Sequence, residues 1–131
     1  MAALNRLIAP FFALAGLALV PWTVWLTLNL PARHETDNWQ TVWAGFDIGL
    51  AVALLATAVC ALRRSPWLAP VAASAGTLLL VDAWFDITLE FGGRHLLSAV
   101  MEAGLLELPV AAICFWVALD AERAVEHALA E

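Results

Sequence analysis

Residues 80–90 read LVDAWFDITLE and place three carboxylates, Asp82, Asp86 and Glu90, at the end of a long apolar run. Their spacing of i, i+4, i+8 makes them one stripe if the segment is helical. Three more acids, Asp47, Glu102 and Glu107, sit in equally apolar surroundings. A charge at the centre of a bilayer costs from ~3 kcal/mol on insertion scales to far more in simulations. Acids kept in such segments therefore point to function. Crowded carboxylates also repel one another, so a group of them exchanges protons near neutral pH. The chemistry this suits is proton coupling, cation binding or general acid catalysis.

The elements that must position these acids are long apolar helices. The chain has 131 residues, 63% of them hydrophobic and only 14% charged. That length suits one domain, and a soluble domain does not need so apolar a composition. Apolar runs cover 7–30, 39–62, 67–89 and 96–119. Each exceeds the ~20 residues that cross the hydrocarbon as a helix. The expected fold is all-α: a single-domain, four-helix transmembrane bundle with a short polar helical tail at 120–131. Arg6 ahead of an apolar stretch mimics a signal peptide. The length of that stretch, with no cleavage site before Pro21 and Trp22, predicts a retained first span.

Short connections at 31–38, 63–66 and 90–95 predict an up-down, antiparallel order. Arg6, Arg63, Arg64 and Arg123 then share one side of the membrane, and Arg33 and Arg94 the other. The positive-inside rule puts both termini in the cytoplasm and the acids toward the outside. Ser65–Pro66 predicts a helix start, and Gly92–Gly93 a stop. Pro21 and Pro109 predict kinks that free the carbonyls of Leu17 and Leu105.

At a rise of ~1.5 Å per residue, Asp47, Asp82 and Glu102 come out roughly 9, 10 and 8 Å below the outer edge of the hydrocarbon. Asp86 lies above them, Glu90 at the rim, and Glu107 about 15 Å down, near the midplane. The inner half of the third run, APVAASAGT, is small and uncharged, which predicts close helix approach there. Trp39, Trp43 and Asp47 share one helix face, as do Trp22, Trp25 and Asn29. The expectation is an outward-facing cavity with carboxylates at its base and indole rings on its walls. Glu102 and Glu107 are five residues apart, or ~140° around an α-helix. They are expected to face different ways, with Glu107 toward a neighbouring helix or a second subunit.

The candidate ligand-binding residues are Asp47, Asp82, Asp86, Glu102 and Glu107, with Trp43 and Trp84 supplying aromatic contact. A divalent cation (Mg²⁺, Ca²⁺ or Mn²⁺) would draw its hard oxygen ligands from Asp82, Asp86, Asp47 and Glu102. The competing reading is that Arg33 and Arg94 reach down and neutralise Asp86 and Glu90. No arginine lies at the depth of Asp47, Asp82 and Glu102. These three must be protonated, hydrogen-bonded to Trp, Asn or Thr, or neutralised by a bound ligand. Cys60 and Cys114 fall inside spans with no CxxC and read as small packing residues. His34, His95 and His127 fall in loops or the tail, away from any haem-ligating position in the bundle. No phosphate-binding loop, serine-hydrolase elbow or zinc-protease helix motif is present, and nothing points to nucleic acid. The pentapeptides FDIGL (46–50) and FDITL (85–89) nearly repeat, which reads as coincidence ahead of internal duplication and gives two spans the same aromatic–acid pair.

The segments PWTVWLTLNLP (21–31), WAGFDIGLAVALLATAVCALRRSPW (43–67) and LLLVDAWFDIT (79–88) resemble a group of small four-span membrane proteins of actinobacteria. The resemblance covers most of the chain. It implies four helices and a multi-pass place in a bacterial cytoplasmic membrane, and carries over no active site. Small multidrug-resistance transporters are similar in size, but hold their carboxylate in the first span, where this chain has none. Membrane-embedded terpene cyclases, which set paired acids among aromatics, are longer. The first expectation is a protein that binds a cation or cationic amphiphile, with proton-coupled transport by a homodimer. The others are a membrane acid–base enzyme on a lipid-soluble substrate and an accessory subunit of a larger membrane complex.

Overall fold

A computed structural model describes residues 14, 17, 18, 20–22, 24, 25, 28, 29 and 35–130. Arg6, Arg33, His34 and the rest of the first run lie outside the described residues. The chain forms two compact units, Met1–Asp37 and Asn38–Glu131. In the first, the described residues from 14 to 29 are helical, and Trp22 stacks on Trp25 with ring centroids 5.3 Å apart. The Asn29 side-chain amide donates to the Trp25 carbonyl at 2.7 Å, so this polar group is satisfied by its own helix.

The second unit is all-helical. Among the described residues three helices are long and apolar enough to cross a membrane: Trp39–Leu62, Leu68–Leu89 and Leu96–His127. They are called here the second, third and fourth helices. The fourth runs as α-helix over Leu96–Glu102, makes a π-turn at Ala103–Glu107, and resumes as α-helix over Leu108–Ala130. The polar tail thus continues the last span without a break. Large apolar side chains cover the outside of all three, and the second helix buries no residue at all. Water does not stabilise such a surface, whereas lipid does.

The third helix is the centre of the unit. It packs against the second on one side and the fourth on the other, while the second and fourth make no backbone contact. Its buried face is Ala72, Ala75, Gly76, Leu79 and Ala83. Opposite stand Ala103, Ala111, Cys114 and Ala118 of the fourth helix. Leu50, Ala53 and Leu54 of the second helix close the cluster from the other side. Small residues on both faces let the backbones come close, and dispersion then holds them without help from water. Cys114 is part of this packing, as its apolar setting predicts.

The loops follow their turn chemistry. The third helix ends at Leu89, and Gly92 takes φ +80°, the conformation only glycine adopts without strain. The start differs slightly from expectation. The helix begins at Leu68, and the Ser65 hydroxyl accepts from the Trp67 N–H at 3.3 Å within the preceding turn. Ser65 and Pro66 therefore shape the approach to the helix and do not form its first residues.

Gly76 marks the tightest approach. A Cβ there would stand 3.1 Å from Phe115 Cζ and 3.2 Å from Cys114 Cβ. Gly76→Val should lose about 1–3 kcal/mol by overpacking, read from unfolding in mixed micelles of rising SDS content. Gly49→Ala, whose Cβ meets nothing within 4 Å, should be neutral or stabilising in the same titration.

Candidate functional site

The acids of LVDAWFDITLE extend the buried face of the third helix. Steps of three or four lead from Leu79 and Ala83 to Asp82, Asp86 and Glu90, and all three acids are half-buried. The stripe therefore points into the unit and away from the surrounding lipid. Trp84 lies ~200° around the helix from Asp82 and is 67% exposed. Its ring faces away from the carboxylates, so an aromatic contact beside Asp82 has to come from elsewhere.

The fourth helix contributes through its π-turn, and the cause lies four residues beyond Leu105. Pro109 has no N–H, and its ring would collide with the Leu105 carbonyl in a regular α-helix. The chain widens instead. The Leu108 N–H donates to the Ala103 carbonyl, five residues back. Such a turn stacks residues five apart almost one above the other, where α-geometry would leave them ~140° apart. The angle between Glu102 and Glu107 is narrower than α-geometry gives, and Glu107 faces the neighbouring third helix as expected. Glu107 is half-buried and lies within electrostatic reach of Asp86, Asp82 and Glu102. One Glu107 oxygen, Oε2, is buried with no hydrogen-bond partner. Glu102 is the more exposed of the two.

Asp47 completes the group from the second helix. It is exposed, and its charge acts on both Asp82 and Asp86. Five carboxylates from three helices thus lie within electrostatic reach of one another. Among the described residues every charged group acting on Asp82, Asp86 and Glu107 is another acid, Glu90 included. Among the described residues no arginine or histidine forms an ion pair with them, Arg94 included. Thr57, Thr77 and Thr88 each donate a hydroxyl to a carbonyl of their own helix at 2.7 to 2.8 Å. No three His, Cys, Asp or Glu side chains among the described residues are arranged to hold a metal ion.

The aromatic residues gather beside the acids. Trp43 is half-buried and makes edge-to-face contact with Trp39 at 5.8 Å, with Phe46 at 6.2 Å and with Phe85 at 6.5 Å. These rings, with Val42 and Leu89, line an apolar recess of about 180 Å³ between the second and third helices. Its walls contain no carboxylate. The single acid-floored, indole-walled cavity expected from the sequence is thus divided into an aromatic recess and an acid group alongside it. Phe46–Asp47 and Phe85–Asp86 are the hinges between the two, each putting a ring in the recess and the next residue among the acids. Phe46 and Phe85 are not among the candidates that spacing singles out, although the repeated FD dipeptide holds the signal.

With Cys60 and Cys114 replaced by alanine, Asp86→Cys and Glu107→Cys should link readily on mild oxidation, whereas Trp84→Cys with Glu107→Cys should not. Equal yields for the two pairs, read on non-reducing gels, would contradict the placement of Glu107. No protein-family model, curated protein or solved structure matches the chain, so its function is read from this geometry alone.

Proposed function

We propose that this protein binds a lipophilic cation within the membrane. The carboxylates of Asp86 and Glu107 would hold the charge, with Asp47, Asp82 and Glu102 around them. The recess walled by Trp43, Phe46 and Phe85 would take the apolar body. The observation that carries this reading is a group of five acids from three helices with no basic partner among the described residues. A cation and protons would compete for these carboxylates, which is the coupling that exchange transport needs.

In this reading the chain is a four-span, antiparallel bundle of a bacterial cytoplasmic membrane, akin to the small actinobacterial proteins it resembles. Both termini lie in the cytoplasm and the acid group opens outward. Transport would call for a homodimer, because four helices leave little room for alternating access. A second reading, general acid catalysis on a lipid-soluble substrate, draws on the buried and unpartnered Glu107 Oε2.

Tetraphenylphosphonium is a suitable probe. Its binding to the purified chain, followed by quenching of tryptophan fluorescence, should weaken at least about tenfold in Asp86→Asn and in Glu107→Gln. Phe85→Ala should weaken it less, by loss of apolar and cation–π contact. Unchanged affinity in both carboxylate variants would remove the acid group from the site.

A further inference from the structure

The end of the unit opposite the acids carries a second groove. The second helix closes with Ser65 N–H donating to the Cys60 carbonyl at 2.9 Å and Arg64 N–H to the Ala61 carbonyl at 3.2 Å. This is the glycine-favouring helix ending, and the residue in its left-handed position is Arg64, at φ +51°. The chain accepts backbone strain here and gains a guanidinium. Beside that turn, between it and the fourth helix, runs a groove of about 450 Å³ whose walls include Arg64, Ser65, Leu68, Trp116, Val117 and Asp120.

The groove holds two opposite charges that do not meet. Arg64 and Asp120 are both exposed, and neither forms an ion pair among the described residues. A hydroxyl, Ser65, sits beside the arginine. The rest of the wall is apolar, and the flanking Trp67 and Trp116 are exposed in the manner of side chains at a bilayer edge. Such a face suits lipid, and its two charges suit a headgroup. Arg64 and Ser65 suit a phosphate. Asp120 repels a second anionic group and accepts hydrogen bonds from an ammonium. A quaternary ammonium offers it no N–H donor.

We propose that this groove binds a zwitterionic phospholipid with a primary amine, phosphatidylethanolamine, in the leaflet at the Arg63–Arg64 turn. Its phosphate lies on Arg64, its ammonium on Asp120, and an acyl chain runs along Leu68, Trp116 and Val117. The site is independent of the acid group.

The test is native mass spectrometry of the full chain, purified in detergent with equal amounts of dioleoyl phosphatidylethanolamine, phosphatidylcholine and phosphatidylglycerol. The ethanolamine lipid should be retained about tenfold over the other two. Stepwise N-methylation of its headgroup should lower retention on the unaltered protein. Arg64→Gly should lose the preference while raising the unfolding temperature, because glycine relieves the left-handed turn. Asp120→Asn should move the preference toward phosphatidylglycerol. Equal retention of the three lipids, or an unchanged preference in both variants, would overturn the proposal.

Discussion

Pro109 is the constraint on which the arrangement of the acids depends. It removes one backbone donor and forces one carbonyl aside. A helix surrounded by lipid cannot leave that defect to water, so the turn before it widens and re-pairs the Leu108 N–H with Ala103. The wider turn changes the rotational phase of everything on its N-terminal side. Glu102 and Glu107 then come to act on each other and on Asp86. A backbone accommodation thus becomes a side-chain arrangement, in keeping with the frequent occurrence of π-turns at functional sites.

The two halves of the unit divide the labour. Away from the acids, Ala72, Ala75 and Gly76 meet Ala111, Cys114 and Ala118 at close range, and nothing polar intervenes. That contact fixes the third and fourth helices relative to each other. At the other end the same helices present carboxylates that repel. The repulsion tends to splay them, and the close packing below resists it. A dry, tightly joined half therefore supports a half whose carboxylates have no basic partner among the described residues.

Much of this was legible in the sequence, for physical reasons that differ by residue. The apolar runs, the glycine turn at Gly92 and the small-residue face all follow from local rules of length, backbone freedom and side-chain size. The inward stripe of Asp82 and Asp86 follows from helical periodicity and the cost of charge in lipid. α-Helical counting sets Glu107 ~140° from Glu102 and toward a neighbouring helix, and Glu107 is indeed half-buried near Asp86 of the third helix while Glu102 is exposed; what counting does not show is that both act on Asp86. Pro109 signalled a disturbance, but not whether the helix would bend or widen. Trp84 is near Asp82 in sequence, but two residues along a helix turn it to the opposite, exposed face. The division between aromatic recess and acid group depends on how the second and third helices meet, and no single run of residues encodes that.

The central claim is that the acid group is balanced by protons until a cation replaces them. Proton release tests it most directly: the purified chain, in weakly buffered detergent solution near neutral pH, is mixed with tetraphenylphosphonium and the pH change is recorded. Net release of protons as the cation binds is the predicted result, with the release lost when Asp86 and Glu107 are both made neutral. Cation binding without any release of protons would contradict the account.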